Sequence, residues 1–272
     1  MTQLDDKLET QKQWNADPCG AVTAGALEPG TAAFFAKVES ERYGIYAPWM
    51  PDVLGFSSFP GQRVLEIGPG LGTDHARFAR SGARMFAVDL TSRHLELTRQ
   101  RFRLEGLVTR LAHGDAEDLP FRDGAFDGVY AFGVVHHTPD MTRAIAEINR
   151  ILRPGGRAVV GLYHRNSAFF WVHTILLRGL VLGGLHRKGY RRLLSEIEYR
   201  SAASDAVPLV RVLSRRRCRR LFAAFSSVGI RTVHIDVSHI LPVVPATSWR
   251  WRRLLERVAG RWGWYLIVSA RK

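Results

Sequence analysis

The segment from Val64 to Asp74, VLEIGPGLGTD, constrains this chain more than any other part of it. Its first four residues predict a buried strand, and Gly68, Gly70 and Gly72 predict a turn that leads straight into a helix. A turn without side chains lets backbone N–H groups and the start of the helix approach a bound ligand closely. The segment therefore indicates an enzyme with a nucleotide-like cofactor, although glycine-rich turns also occur at plain strand–helix junctions.

The residues that follow narrow the choice of cofactor. The dinucleotide fingerprint G-x-G-x-x-G would place its third glycine at position 73, where this chain has Thr73. The pattern thus favours a cofactor with an adenosine but no pyrophosphate. A second strand, Arg84 to Val88, ends in Asp89, a carboxylate placed to accept both hydroxyls of a ribose. Asp115, in the loop HGDAEDLPF, could accept a hydrogen bond from an adenine amino group.

Two more segments complete a series of motifs. A further apolar strand, Phe126 to Phe132 (FDGVYAF), is followed by GVVHHTPD, and ILRPGGRAVV turns into the strand Ala158 to Tyr163. In this order and at these intervals, the motifs resemble those of class I S-adenosylmethionine-dependent methyltransferases. The chain is most similar to the subgroup with quinone-biosynthesis and natural-product methyltransferases. The resemblance covers about residues 60 to 165.

The resemblance implies a fold, a cofactor and a set of binding residues. The fold would be α/β, a Rossmann-like, seven-stranded and mostly parallel sheet with helices on both faces, and the cofactor would be S-adenosylmethionine. Glu66 would orient the glycine loop or the methionine amino group, Asp89 would bind the ribose, and Asp115 with the backbone of Ala116 would read the adenine edge. Many relatives carry a small or polar residue where Phe132 stands, which leaves its side chain without an assigned role. The implied cofactor-binding residues are Glu66, Gly68, Pro69, Gly70, Gly72, Asp89, Leu90, Asp115, Ala116, Phe132 and Gly133.

Methyl transfer from a sulfonium needs a base only when the nucleophile carries a proton with a high pKa. His136 and His137, just after the strand that ends at Phe132, are the best-placed candidates for a catalytic base, and His164 is a third. Each could instead be a loop histidine that bonds to the backbone. Adjacent histidines without a carboxylate or cysteine at ligand spacing are a poor metal site, so no metal is expected.

Positive charge is concentrated in the last part of the chain. Residues 1–164 carry 18 Lys and Arg against 20 Asp and Glu, a net charge of −2, whereas residues 165–272 carry 21 against 5, a net charge of +16. Nucleic acid is not the expected partner, because the arginines lie within amphipathic helical patterns. The apolar stretch that begins at Phe169 and ends in basic residues is typical of a lid over a hydrophobic substrate, or of a helix at an anionic membrane surface.

Four regions follow from the order of the motifs. Ligands of α/β sheets bind beyond the carboxyl ends of the strands, so an insertion after the fifth strand would cover the pocket. The last helix is expected at Ser214 to Val228, and the last two strands at Ile230 to Val237 and Trp264 to Ala270. The regions are an N-terminal helical cap (1–60), the cofactor-binding core (61–164), a basic and apolar lid insertion (165–212) and the C-terminal completion of the core (213–272), with a small helical insertion at 241–263.

The cap carries Tyr43 and Tyr46 on a segment expected to be helical, where they could close over cofactor or substrate; packing between this helix and the sheet is the alternative. We expect Tyr43 to belong to the cofactor site. Two unclustered cysteines, Cys19 and Cys218, favour a reducing compartment. A polar N-terminus without signal-peptide character and the lack of an apolar run of 18 or more residues favour a cytoplasmic protein, and the Arg/Ala/Gly-rich composition favours a bacterial source.

The expected function is methyl transfer from S-adenosylmethionine to a small, hydrophobic or aromatic metabolite, at oxygen, nitrogen or carbon. Two alternatives stay open. One is a peripheral membrane methyltransferase that acts on a lipid or quinone. The other is a protein that keeps the fold and the cofactor but catalyses another step, such as a cyclisation. The sequence predicts neither the acceptor nor the oligomeric state.

Overall fold

A seven-stranded sheet forms the centre of the protein, in a computed structural model that describes residues 2–198, 205–236 and 258–272. The strand order is β3-β2-β1-β4-β5-β7-β6. Neighbouring strands are parallel except for β7, which pairs antiparallel with both β5 and β6. The expected mostly parallel sheet is confirmed. The strands are β1 (Arg63–Ile67), β2 (Arg84–Asp89), β3 (Thr109–His113), β4 (Phe126–Phe132), β5 (Leu152–Tyr163), β6 (Ser227–Val233) and β7 (Tyr265–Arg271).

Helices cover both faces of the sheet, as expected. Val64 and Leu65 show the two faces, because successive side chains of a strand point in opposite directions. Val64 packs in a cluster with Phe56 and Phe78, and Leu65 packs in another with Ile148. The helices are α1 (Gln3–Ala16), α2 (Ala32–Ser40), α3 (Met50–Val53), α4 (Thr73–Arg80), α5 (Ser92–Leu104), α6 (Met141–Ile151), α7 (Gly184–Ser195) and α8 (Arg215–Leu221), with 3₁₀ turns at Ala21–Ala24 and Val135–His137 and π-helical segments at Glu41–Tyr46 and Phe169–Val181.

The turn after β1 depends on the glycines of the first motif. Gly68, Gly70 and Gly72 have φ angles of 70°, 57° and 71°, in the left-handed region that side chains disfavour. At Gly68 an added Cβ atom would lie 2.3 Å from Cγ2 of Val134. The loops after β1 and β4 therefore approach each other closely only because this residue has no side chain.

Three elements differ from the sequence expectation. The helix expected from Ser214 to Val228 ends at Leu221, since Ser227 already pairs with Arg271 of β7. For the same reason β6 begins at Ser227, earlier than the expected Ile230, and it ends at Val233, while Val237, the expected end, lies outside the described residues. No residue range was predicted for β3, one of the seven expected strands, because its residues are not continuously apolar. Most of the helix expected within 241–263 lies outside the described residues.

Candidate active site

A cavity of about 790 Å³ lies beyond the carboxyl ends of the parallel strands. This volume is within the range of pockets that bind small molecules and cofactors. Its glycine end is lined by Gly68, Gly70, Asp89, Asp115 and Gly133. Its aromatic end is lined by Tyr46, Tyr163, Phe169, Trp264 and Tyr265.

Most of the residues that the sequence placed in the site line this cavity, and Gly72, Tyr43, His136 and His164 do not. Gly72 precedes α4 and packs against Thr98, on the far side of the turn. Tyr43 donates its hydroxyl to Asp74 and is not among the residues that line the cavity. His136 is buried behind the wall. The predicted residues that line the cavity are Glu66, Gly68, Pro69, Gly70, Asp89, Leu90, Asp115, Ala116, Phe132, Gly133 and His137.

Asp89 reaches the cavity as an ionised carboxylate. Its Oδ1 accepts hydrogen bonds of 2.8 Å from both the backbone N and the Oγ1 of Thr91, and its Oδ2 lies 3.1 Å from Nδ1 of His94. Burial alone would raise the pKa of Asp89, but His94 and the Thr91 bonds outweigh it and lower the pKa. Asp89 is therefore a charged acceptor at the end of β2, where the ribose was expected.

Helix α1 crosses the glycine end, a position that the sequence did not predict. Lys7 places its Nζ 2.6 Å from Asp115 Oδ2 and 2.6 Å from Glu117 Oε2. Gln11 donates to the backbone oxygen of Leu90 at 2.8 Å. Burial disfavours the charge of Lys7, yet its two carboxylate partners outweigh burial and raise its pKa. Nothing in the sequence of α1 pairs it with loops about a hundred residues away.

Glu66 and His75 share a buried proton. Glu66 Oε2 lies 2.9 Å from His75 Nδ1, and His75 Nε2 lies 2.7 Å from Thr109 Oγ1. Since the Thr109 hydroxyl donates to Met85 O, it accepts from Nε2, so Nδ1 accepts from a protonated Glu66 carboxyl group. Burial lowers the pKa of His75 from 6.5 to about 3 and, with Asp74 nearby, raises that of Glu66 well above its usual value. Both pKa shifts agree with a neutral pair.

Asp74 joins the cap to the sheet beside the glycine turn. Arg42 donates from Nε and Nη2 to its two oxygens at 2.7 and 2.6 Å. The hydroxyls of Tyr43 and Tyr130 donate to it at 2.7 and 2.6 Å. Burial would raise the pKa of Asp74, but Arg42 and the tyrosines outweigh it and lower the pKa. Asp74 was visible as the end of the first motif, whereas Arg42, which also lines the cavity, gave no sequence signal.

The aromatic end is assembled from distant parts of the chain. Tyr46 of the cap and Tyr265 of β7 hydrogen-bond through their hydroxyls. The ring of Tyr265 lies 4.9 Å from that of Phe132, centroid to centroid. The ring of Trp264 stacks on that of Tyr163 at 4.4 Å. This end can therefore hold a flat or apolar molecule, with few polar groups to fix its orientation.

One polar cluster interrupts the aromatic wall. His137 Nε2 lies 3.5 Å from Glu198 Oε1, and Tyr163 donates its hydroxyl to the same oxygen at 2.8 Å. His136 stacks on Tyr163 with 3.8 Å between ring centroids. Burial and the neighbouring His137 hold the pKa of His136 well below its usual value. No carboxylate was expected near the histidine pair, because Glu198 comes from the lid insertion.

The third histidine candidate lies elsewhere. His164 is buried, its Nδ1 lies 2.9 Å from the backbone oxygen of Gly263, and it is not among the residues that line the cavity. Burial lowers its pKa. His137 is the predicted catalytic histidine that contacts the cavity, and the assignment of a base stays a prediction.

Comparison with known proteins supports the class of domain. Residues 65–160 match the model of a methyltransferase domain family. The chain is 38% identical over 103 residues to Methyltransferase GfsG of Streptomyces halstedii, 37% of each chain. It is 37% identical over 100 residues to a demethylmenaquinone methyltransferase of Clavibacter sepedonicus, 37% of this chain and 40% of that one. A ubiquinone/menaquinone biosynthesis C-methyltransferase UbiE of Bordetella avium is 36% identical over 122 residues, 43% of this chain and 47% of that one. The chain thus spans less than half the length of these curated bacterial relatives.

Solved structures confirm the fold. A methyltransferase structure from Methanosarcina mazei matches with a TM-score of 0.54 and 18% identity over 78% of this chain and 92% of that one. One from Mesorhizobium loti matches with a TM-score of 0.52 and 18% identity over 83% and 96%. Residues 65–160 therefore match a methyltransferase domain family on a methyltransferase fold, and the resemblance to class I S-adenosylmethionine-dependent methyltransferases drawn from the motifs is confirmed.

Within residues 2–198, 205–236 and 258–272, no helix is both long and apolar enough to cross a bilayer.

Proposed function

We propose that this chain transfers a methyl group from S-adenosylmethionine to a small, hydrophobic or aromatic molecule by in-line displacement. The observation that carries the proposal is one continuous cavity with two unlike ends. An ionised Asp89 and a side-chain-free turn line one end, and stacked aromatic rings line the other. A polar adenosine and an apolar acceptor therefore fit side by side in the same space.

The residues at the glycine end fit the cofactor. Asp89 would accept from the ribose hydroxyls, and Asp115, with the backbone of Ala116, would receive the adenine edge. An added Cβ atom at Gly70 would meet no atom within 4 Å, so the turn has an open side for the methionine portion. Arg42 uses Nε and Nη2 for Asp74, which leaves Nη1 for a carboxylate. The bound cofactor would supply an electrophilic methyl group.

The protein's own contribution would be positioning and exclusion of water. Holding the nucleophile, the methyl carbon and the sulfur in line removes much of the entropic barrier. Trp14 of α1 supports this arrangement, since its ring lies 6.5 Å from His94 at the glycine end and 5.8 Å from His137, centroid to centroid. The cap would thus cover the point where the two substrates meet.

The test is acceptor-dependent formation of S-adenosylhomocysteine. Wild-type protein and Asp89→Ala are incubated with S-adenosylmethionine and with phenols, aliphatic alcohols, aromatic amines and quinones that have an activated C–H group. Chromatography quantifies S-adenosylhomocysteine, and mass spectrometry detects the methylated product. We expect turnover with at least one apolar acceptor class and its loss in Asp89→Ala. Cofactor binding without a methylated product in any class would favour the non-methylating alternative.

A second candidate function rests on the surface of the lid. Within Phe169–Val181 and the residue after it, five large apolar side chains are each between 46% and 69% exposed. Basic residues such as Arg187 and Lys188 follow directly. An exposed apolar helix flanked by positive charge suits an anionic bilayer surface, where a lipid or quinone would be the acceptor. The five residues are Trp171, Leu176, Leu180, Val181 and Leu182.

Co-sedimentation with vesicles separates the two candidates. Binding to phosphatidylglycerol vesicles, absent with phosphatidylcholine and weakened by salt, would favour the membrane enzyme. Leu180→Ser combined with Val181→Ser should abolish that binding. Val108→Ser is the matched control, because Val108 is an exposed apolar residue before β3, outside the lid. No binding to either kind of vesicle would favour the first candidate, an enzyme that acts on small molecules in solution.

A further inference from the structure

We propose that His137 and Glu198 form the acid–base pair of this site, and that the acceptor is an alcohol or phenol methylated at oxygen. This inference rests on the proposed methyl transfer and names its substrate class. It assigns a function to Glu198, a residue of the lid insertion that no motif identified. His137 would be the catalytic base, and Glu198 would be the residue that positions and stabilises it.

The geometry places both side chains at the wall of the cavity. His137 and Glu198 are 5% and 8% exposed, and both line the cavity. The distance from His137 Nε2 to Glu198 Oε1 is 3.5 Å, longer than the 2.7–2.9 Å or so of a closed charge-assisted hydrogen bond. Nε2 is therefore close to a carboxylate without being saturated by it, so an acceptor hydroxyl can reach it.

The tautomer of His137 follows from its other nitrogen. Nδ1 lies 2.7 Å from the backbone oxygen of Leu209. A carbonyl oxygen only accepts hydrogen bonds, so Nδ1 carries the proton and Nε2 of the neutral ring carries a lone pair. The Nε2 lone pair of the neutral ring cannot donate a hydrogen bond to Glu198, so the carboxylate does little to stabilise neutral His137. Once Nε2 takes up a proton, the same carboxylate stabilises the imidazolium.

Tyr163 fixes the carboxylate that faces His137. Its hydroxyl donates to Glu198 Oε1 at 2.8 Å, and its ring is held between His136 and Trp264. Burial and the charge of Glu198 raise the pKa of Tyr163 well above its usual value, so the hydroxyl stays protonated and donating. Base, carboxylate and a donor to that carboxylate thus form one chain, in which Glu198 faces the nitrogen that takes the proton and the Leu209 carbonyl orients the ring through Nδ1.

The proposed step balances with the methyl donor alone. The acceptor oxygen gives its proton to Nε2 of His137, which becomes an imidazolium paired with Glu198. The same oxygen forms a bond to the cofactor's methyl carbon, and the carbon–sulfur bond breaks with its electron pair moving to sulfur. The products are a methyl ether and the neutral thioether. The imidazolium returns its proton to water after product release.

The first arm of the test is the panel of acceptor classes used for methyl transfer. We expect turnover with phenols or alcohols and none with the corresponding methyl ethers. Turnover restricted to amines or to C–H acceptors would overturn this inference while the proposed methyl transfer stood. No turnover in any class would contradict the methyl transfer itself, so the two failures are distinguishable.

The second arm compares variants of the lid. Glu198→Gln should slow single-turnover methyl transfer about 100-fold and leave the Kd of S-adenosylhomocysteine within a factor of two. Glu198→Asp should recover part of the rate. Glu196→Gln is the matched control, because Glu196 pairs with Arg178 and Lys188 and is not among the residues that line the cavity. Equal rates for Glu198→Gln and Glu196→Gln would overturn the assignment. If Glu198→Gln does not fold, Tyr163→Phe is tested instead, and a folded and fully active Tyr163→Phe protein would also overturn the assignment.

The pH profile separates a positioning role from a merely structural one. Among the described residues, the titratable groups that face the pair include His136, Tyr163, Tyr265 and Cys19. Removing the Glu198 charge disfavours the imidazolium, so the rising limb of the rate should move to lower pH as the plateau falls. An unmoved limb would contradict the pairing. Loss of wild-type activity on dialysis against EDTA would also overturn the proposal, since the cluster of His136, His137 and Glu198 would then hold a cation.

Discussion

The glycine end and the aromatic end belong to one cavity but differ in how their contacts arise. At the glycine end, Asp89 bonds to Thr91 and His94, and Asp115 bonds to the backbone N of Glu117, all within a few residues, while Lys7 of α1 adds a long-range contact to Asp115. At the aromatic end, the contacts join residues far apart in sequence, such as Tyr46 with Tyr265. Contacts between residues close in sequence define much of the geometry of the glycine end. The aromatic end forms only when the cap, the lid and the sheet pack together.

Substitutions at the two ends should therefore have different effects. Changes at the glycine end should alter cofactor affinity or the stability of the core. Changes at the aromatic end should alter turnover and acceptor affinity and leave the cofactor bound. Three sets of substitutions test this separation. The largest expected effect is on the stability of the core, and the smallest is on the affinity for the acceptor.

The largest effect is expected at Asp74, which ties the cap to the glycine end. Asp74→Asn removes the charge that neutralises Arg42, and an uncompensated, largely buried charge should lower the free energy of unfolding by about 3 kcal/mol. Tyr130→Phe, which removes one hydroxyl from the same carboxylate, should cost about 1 kcal/mol. Denaturant unfolding measures both. Equal losses would mean that the ion pair contributes no more than a hydrogen bond.

A pH-dependent effect is expected at Glu66. The folded pair with His75 holds one proton, whereas the unfolded pair holds none above pH 6.5, the ordinary pKa of histidine, and both below 4.5, that of glutamic acid. The pair therefore stabilises most between these values, and its contribution falls as pH rises above 6.5, by at most about 1.4 kcal/mol per unit. Glu66→Gln keeps a donor for Nδ1 but does not titrate.

Unfolding at pH 6 and pH 8 measures this difference. The stability of Glu66→Gln relative to wild type should increase between the two values by up to about 2.7 kcal/mol, or about 1.4 kcal/mol for each pH unit. The other titrating groups, His136 among them, are common to both proteins and cancel. A constant difference would show that Glu66 is ionised in the folded protein, and the neutral pair would then be wrong.

The smallest effect is expected at the aromatic end. Tyr46→Phe and Tyr265→Phe each remove one partner of a single hydroxyl pair, worth about 1 kcal/mol. That corresponds to about a fivefold rise in acceptor KM, with the Kd of S-adenosylhomocysteine unchanged. Steady-state kinetics and calorimetry on the same preparations report the two quantities. A parallel weakening of cofactor binding would break the separation between the ends.

The difference between the ends also decides what the sequence could predict. The strand, turn and helix around Gly68 are specified by neighbouring residues, and Asp89 and Asp115 stand at fixed distances from strand ends. Eleven of the predicted cofactor-site and catalytic residues therefore line the cavity. The pairing of β6 with β7 decided where α8 ends, and that pairing is not readable from either segment alone.

The site residues that the sequence did not reveal share one property. Lys7, Arg42 and Glu198 reach the cavity from the cap and the lid, and their partners lie on other elements. A lone lysine, arginine or glutamate on a helical segment has no local pattern that distinguishes it from a solvated surface residue. Only the tertiary contacts give these side chains a place in the site.

The most direct measurement is calorimetric binding of S-adenosylhomocysteine to wild type, Asp89→Ala and Tyr265→Phe. We predict binding by wild type, a loss of tenfold or more in Asp89→Ala, equal to about 1.4 kcal/mol or more, and unchanged affinity in Tyr265→Phe. No binding by folded wild type, or equal affinity in wild type and Asp89→Ala, would contradict the placement of the cofactor at the glycine end.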